Sequence, residues 1–436
     1  MGDITDNIGT NPGDQAKTTV DKLFVARQPI LDLEQKLFGY ELLYRNSFEN
    51  VFGATDETSA TLAVIREAFL VLGTTLTGNN RVFINFDIDL LKKKVALILR
   101  PETTIIEIKE NVPGDTISAG LCRELKQAGY TIALDDFDPA NENARALVDL
   151  ADLIKVDFRR ASGAQRGEII NSYKTKKIAF VAEKVETLDE FFEAQRLGYL
   201  YFQGYFFGKP QIVSTRNILA NKTNCLRVMS QINQPDMDFR GLEEIIRRDT
   251  YLTFTLLSYM NSAFFGLRGR VSSIMQALSL LGEREVRRWA CLVLMAFIGA
   301  DSPSEVTKTS LIRGRFCELL AGKMGLAAKG PELFMTGIFS MLDVLIGRPL
   351  HELLDMINVS KDIRIGLTTG DNPHGKVLQL VFAYEKALWE EVERWGRRLG
   401  LEKAGIASDY EKSVQWADEV FGLGSVGNET ATPQSA

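Results

Sequence analysis

The chemically able side chains in the first half of this 436-residue chain are oxygen donors and a lysine. At the ends of successive apolar, β-rich runs stand Glu41, Asn85, Glu107, Asp135 with Asp136, Lys155 with Asp157, Glu183 and Gln203. Charges removed from water without partners are costly. Gathered together, these groups must pair with one another, with Lys155, or with cations. An all-oxygen donor set suits Mg²⁺ or Mn²⁺ rather than Zn²⁺. Several carboxylates without histidine suit two divalent ions ~4 Å apart that activate water on a phosphodiester. For any single position a strand-end or capping role explains the residue as well. That holds most for Asp135 and Asp136, which stand where a helix N-cap is expected. The agreement of many strand ends is what favours a site.

Composition narrows the chemistry. The chain has two histidines, His351 and His374. The first precedes Glu352 and the second lies in a Pro-His-Gly turn, so both are expected as surface or capping residues. A histidine-built zinc site is thereby excluded. The net charge of -6 gives no basic field for nucleic acid. Four dispersed cysteines offer neither a metal motif nor a disulfide framework, which predicts a reduced, cytoplasmic protein. The polar start, Met1 to Thr19, has no signal-peptide core. The longest apolar run, Trp289 to Ala300, falls short of the ~20 residues of a membrane helix.

The elements that must position the donors follow from periodicity. Strands are predicted at Leu23–Leu31, Lys36–Arg45, Arg81–Phe86, Thr103–Ile108, Tyr130–Leu134, Leu153–Val156, Lys177–Ala182 and Tyr199–Phe202. Helical patterns such as Glu57–Leu72, Asp115–Ala128 and Leu188–Leu197 fall between many of them. This alternation predicts an α/β fold, a TIM-like (β/α)8 barrel whose functional groups sit at the C-terminal strand ends. The short Asp32–Gln35 link makes the first strand pair antiparallel. After Pro210 the strand signal stops. An all-helical half is expected, with helices that include Ser310–Met324, Glu332–Ile346 and His374–Leu399, and breaks at Asp301–Thr307 and Ala327–Pro331. The expected organisation is a disordered tail over 1–20, a barrel over 21–210, a helical domain over 211–421 and a second tail over 422–436.

The same residues carry a family resemblance. Gln28-Pro29-Ile30, Gly39 to Arg45, Ile84-Asn85, Ile106 to Glu110, Asp135-Asp136-Phe137, Ile154 to Asp157, Ala182 to Thr187 and Gln203 to Pro210 resemble, in order, the motifs of EAL domains, the cyclic-di-GMP phosphodiesterases. The resemblance implies hydrolysis of cyclic di-GMP to linear pGpG with Mg²⁺ or Mn²⁺. It implies that Glu41, Asn85, Glu107 and Asp135 hold the ion nearest the substrate, and that Asp135 and Asp136 bring in a second. Lys155 and Glu183 would position or deprotonate the attacking water, with Gln203 in support. Gln28 and Arg45 would face the dinucleotide, and Glu186 would hold the loop after Asp136.

Three positions depart from the family pattern. Leu42 replaces a small residue, a volume change expected beside the metal. Asp138-Pro139-Ala140-Asn141 replaces a Gly-Thr-Gly turn, and Lys184 replaces a glycine. These favour the alternative of a receptor that binds cyclic di-GMP without cutting it; a protein-interaction scaffold is the third reading. EAL barrels commonly pair through the loop altered here, so a homodimer stays an open alternative.

In the second half, Asp249 to Gly266 and Ser273 to Gly282 resemble HDOD domains, which implies an interaction module lacking the metal-binding His-Asp pair of related hydrolases. The expected partners are cyclic di-GMP and a signalling protein that docks on the HDOD domain, not nucleic acid or membrane.

Overall fold

The computed structural model describes residues 24–44, 73–204, 227–234, 236–261, 271–299, 303–346 and 348–428. The expected helix Glu57–Leu72 and Arg45 lie outside them.

Eight strands close a barrel: β1 (Val25–Leu31), β2 (Leu37–Tyr44), β3 (Arg81–Phe86), β4 (Thr104–Ile108), β5 (Thr131–Leu134), β6 (Leu153–Asp157), β7 (Ala179–Glu183) and β8 (Tyr201–Gln203). β1 runs antiparallel to both β2 and β8, and the remaining pairs are parallel. Between strands lie α1 (Gly73–Thr77), α2 (Ile88–Lys92), α3 (Thr116–Gln127), α4 (Glu142–Leu147), α5 (Gly163–Tyr173) and α6 (Leu188–Leu197).

Successive strand side chains point to opposite faces. Ile30, Phe83, Ile105, Ala133, Leu153 and Val181 therefore meet inside the barrel as an apolar floor. Two residues further along the parallel strands, the same face carries Asn85, Glu107, Asp135, Lys155 and Glu183. On the reversed strand β1 the corresponding residue, Gln28, precedes Ile30. The polar layer is thus held directly above the floor.

The second half is helical: α7 (Phe239–Arg247), α8 (Thr250–Met260), α9 (Ile274–Gly299), α10 (Ser304–Lys323), α11 (Gly330–Phe339), α12 (Leu342–Ile346), α13 (Leu350–Met356), α14 (Lys361–Thr368), α15 (Pro373–Glu385), α16 (Trp389–Leu399) and α17 (Lys403–Asn428). α10 is the central rod. Val306, Leu311, Phe316, Cys317 and Leu320 are buried along it, against α11 and α17. The rods touch at Gly337, where a Cβ would lie 2.4 Å from the Arg313 carbonyl.

Several sequence expectations are corrected here. α10 begins at Ser304, inside the expected break at Asp301–Thr307, because buried Glu305 and Val306 already face the core. The expected helix His374–Leu399 is two helices, since Ala387 adopts φ +53 and turns the chain with no glycine or proline to announce it. Likewise Glu332–Ile346 divides into α11 and α12. α17 continues to Asn428, past the expected tail start at 422; helix propagation adds a hydrogen bond per residue once the preceding turns are anchored. His374, expected at the surface or as a cap, is fully buried.

The outward face of the β1–β2 hairpin packs on the helical half. Tyr40 donates to Glu305 at 2.9 Å, and the Arg27 guanidinium lies 4.4 Å from the Tyr40 ring centroid. Arg27 also pairs with Asp418 at 3.2 Å, its backbone N–H donates to the Tyr410 hydroxyl at 3.4 Å, and Tyr384 donates to the Val25 carbonyl at 3.2 Å. Phe24 stacks on Trp389 with ring centroids 5.4 Å apart. Tyr40→Phe leaves the buried Glu305 oxygen without its donor, at a cost of about 1–3 kcal/mol. A lowered thermal unfolding midpoint is expected; an unchanged midpoint would show that this contact does not hold the halves together.

Candidate active site at the barrel mouth

The β1–β2–β8 pairing brings three site residues together. Gln28 lies opposite Glu41 in register, and β8 joins β1 through Ile30 and Gln203. Gln203 Nε2 donates to Glu41 Oε2 at 2.8 Å and to Gln28 Oε1 at 3.0 Å. Asn85 Nδ2 donates to Glu41 Oε1 at 3.0 Å. At the centre, the fully buried Lys155 ammonium lies 2.5 Å from Glu107, 2.7 Å from Glu183, 3.1 Å from Glu41 and 3.2 Å from Asp135.

Four carboxylates outnumber the single ammonium at their centre, and burial together with their mutual charge shifts their proton affinities. Burial opposes the charge on Lys155, but Asp135, Glu107, Glu183 and Glu41 outweigh it and hold the ammonium protonated well above the usual lysine range. So held, Lys155 is a buried cation in contact with four carboxylates. Burial, then the charge of Glu41, pushes Glu107 well up. Burial also raises Asp135. Burial pushes Glu183 up from 4.5 to about 8, against the pull of Lys155. For Glu41, burial is overcome by Lys155 and by the donors Gln203 and Asn85, so it stays below its ordinary value.

Asp136 stands apart from this cluster. Its backbone is left-handed, φ +42, and its carboxylate faces Arg160 at 3.3 Å and Lys184 at 3.6 Å. Lys184, itself at φ +54, pairs more closely with Asp157 at 2.6 Å. The Lys184 hydrogen bond and two backbone N–H groups overcome burial to hold Asp157 low. Glu186, expected to hold the loop after Asp136, pairs with Arg159 beyond β6. That loop closes on itself: Ala140 N–H donates to Asp138 at 2.8 Å, and Asn141 donates to the Glu110 carbonyl at 2.9 Å while capping α4. Leu42, expected beside the metal, sits on the opposite face of β2 from Glu41, fully buried in the layer outside the barrel. Arg45 lies outside the described residues.

Among the described residues no three His, Cys, Asp or Glu side chains are already grouped around an ion position. The donor chemistry nevertheless fits a hard cation. Asn85 Oδ1 and Glu107 Oε2 are buried acceptors with no hydrogen-bond partner, and four carboxylates converge on one ammonium. Above the layer opens a cavity of about 780 Å³.

A model of the EAL domain matches residues 63–210, and a model of the HDOD domain matches residues 220–348. YuxH of Bacillus subtilis (strain 168) is 32% identical over 408 residues, 92% of this chain and 99% of its own length. The cyclic di-GMP phosphodiesterase CdgJ of Vibrio cholerae is 32% identical over 409 residues, 92% of this chain and 94% of its own. The chain belongs to the EAL–HDOD family. Among solved structures, the Bacillus subtilis YkuI protein with an EAL domain, in complex with substrate c-di-GMP and calcium, is 20% identical with a TM-score of 0.35, covering 55% of this chain and 75% of that one. The EAL match begins after β2, so Gln28 and Glu41 lie outside it; the barrel closure is what places them with the matched EAL residues.

Sequence reasoning missed the partners that engage the EAL barrel from the HDOD side, Glu305, Tyr410 and Glu385. They lie more than 250 positions from the residues they touch, and no local pattern signals them.

Two outcomes follow. Glu183 binds its proton more tightly folded than unfolded, so its contribution to stability is present below pH 4.5 and lost as pH rises through about 8. With chelator present, the unfolding midpoint should fall between pH 4.5 and about 8, and Mn²⁺ should reverse the fall; a flat profile in chelator would contradict this charge balance. Lys184→Gly removes a left-handed lysine and takes one cation from Asp157 and from Asp136, which keeps Arg160. Since Lys184 is half exposed, a several-fold tightening of Mn²⁺ affinity is expected by calorimetry; unchanged affinity would mean that Lys184 does not compete for these carboxylates.

Proposed function

We propose that the EAL barrel of this chain hydrolyses cyclic di-GMP to linear pGpG with two divalent cations, Mg²⁺ or Mn²⁺, and that the HDOD domain regulates the barrel or relays its state to a signalling partner. The observation that carries this reading is the polar layer of Gln28, Glu41, Asn85, Glu107, Asp135, Lys155, Glu183 and Gln203 above an apolar floor. The likeness to CdgJ, named a cyclic di-GMP phosphodiesterase, supports it.

Glu41, Asn85, Glu107 and Asp135 would hold the first cation, and Asp135 with Asp136 the second. Divalent cations there offset phosphate charge and acidify water. Glu183, with its raised proton affinity, is suited to accept the proton of the attacking water near neutral pH. Lys155 fixes the geometry: one ammonium contacts four carboxylates and so sets their spacing. Gln203 orients Glu41 and Gln28 with the same amide nitrogen. Gln28 and Arg45 would face the dinucleotide, with the guanidinium on a phosphate oxygen. No helix among the described residues is long and apolar enough to cross a membrane.

A second reading, a receptor that binds without turnover, is favoured by one feature: both oxygens of Asp136 already face cations, Arg160 and Lys184. The test is incubation of the purified chain with cyclic di-GMP and Mn²⁺ or Mg²⁺, with chromatography of the products and calorimetry of binding. Formation of pGpG, with a loss on the order of 100-fold in Glu41→Ala, is the expected outcome. Binding without pGpG would leave the receptor reading, and absence of binding would leave only a scaffold.

A further inference from the structure

The cavity above the polar layer is walled by both domains. On the barrel side it is lined by Gln28, Glu41 and Asp135; on the helical side by Thr309, Ile312, Lys386 and Leu388. At about 780 Å³ it falls within the range that encloses a small organic ligand. Resting on the cyclic-di-GMP reading above, we propose that the turn Lys386–Leu388, between α15 and α16, forms part of the dinucleotide site, so that ligand occupancy and the seating of the HDOD domain are a single equilibrium.

Three observations support this. The contact between site and turn is direct. Gln28 accepts from Gln203 through Oε1 at 3.0 Å and donates through Nε2 to the Glu385 carbonyl at 3.2 Å. The turn is also held firmly to the helical core. The Glu385 carboxylate takes a fork from Arg313, with Nε to Oε1 at 2.9 Å and a second nitrogen to Oε2 at 2.8 Å, and Arg313 also donates to Ser340 at 3.0 Å. Lys386, Ala387 and Leu388 each donate a backbone N–H back into the end of α15, at 3.2, 3.0 and 2.9 Å. A displacement of this turn must therefore move the domain and not merely a loop.

The third observation is chemical. The floor of the cavity is acidic, and a cyclic dinucleotide carries two phosphate charges and two flat bases. Its phosphates need cations from the walls. Lys109, Arg159 and Lys184 line the cavity on the barrel side and Lys386 lines it on the helical side, in the same turn as Leu388, which is half exposed at 50% and offers an apolar surface. That pairing of a charge and an apolar patch suits a phosphate next to a base.

The experiment is a calorimetric titration of the full chain with cyclic di-GMP in Ca²⁺, comparing wild type with Lys386→Ala, Lys386→Arg and Leu388→Asp. A charge-assisted contact predicts about 10-fold weaker binding for Lys386→Ala, recovery to within a few-fold for Lys386→Arg, and weakening for Leu388→Asp. Hydrogen exchange on the wild-type chain is the second measurement, with ligand expected to slow exchange at Lys386–Leu388. Wild-type affinity in both Lys386→Ala and Leu388→Asp, or tighter binding in either, overturns the inference while leaving the cyclic-di-GMP reading intact. Unchanged exchange at the turn in the liganded chain also overturns it. A wild-type chain that binds no cyclic di-GMP overturns the reading on which the inference rests.

Discussion

The site is organised around a buried cation. Lys155 emerges from the middle of β6 into the barrel, with no exposed side-chain surface, and meets Glu41, Glu107, Asp135 and Glu183 from four other strands. A charge in such a place persists only when its surroundings outweigh the loss of water. Here they more than do so, and the surplus falls on the carboxylates, three of which are driven upward in proton affinity while Glu41 is held down. The carboxylates of the barrel mouth outnumber its one ammonium, an imbalance that protons or a divalent cation would offset. Strand order, register and the alternation of faces together place this ammonium where each of those strands can reach it.

The β1–β2 hairpin joins the two halves of the molecule by the same alternation. Its inward residues, Gln28 and Glu41, belong to the polar layer. Its outward residues, Arg27, Tyr40 and Leu42, are covered from the other side, Arg27 and Tyr40 by the helical domain. A shift of register by one residue would exchange the two sets, so packing against the HDOD helices and assembly of the site depend on one register. The contacts it makes, a buried tyrosine–carboxylate hydrogen bond, a guanidinium over an aromatic ring and a stacked Phe24–Trp389 pair, are short and specific. They give the helical domain a mechanical hold on the element that carries Glu41.

Much of the barrel was legible in the sequence because β-rich runs and helical patterns alternate along it, and because polar residues recur at the run ends. The positions of Glu41, Asn85, Glu107, Lys155 and Glu183 could be read that way. The turn at Ala387 could not. A left-handed alanine leaves no mark in composition, so the chain from His374 to Leu399 reads as a single helix. The placement of Leu42 was within reach of the sequence: with Glu41 facing the barrel interior, strand alternation puts its neighbour on the outer face, where it is buried.

The chain's own order of residues determined the fold class, the two-part organisation and the oxygen-and-lysine character of the site, since all of these follow from local periodicity and residue type. Tertiary structure alone decided which groups share a hydrogen bond or an ion pair. The pairing of Lys184 with Asp157, of Glu186 with Arg159 and of Gln28 with the Glu385 carbonyl arises from distances between elements. The physical reason is that ionisation and hydrogen bonding depend on burial and on separations of a few ångströms across the fold, quantities that separation along the chain does not encode.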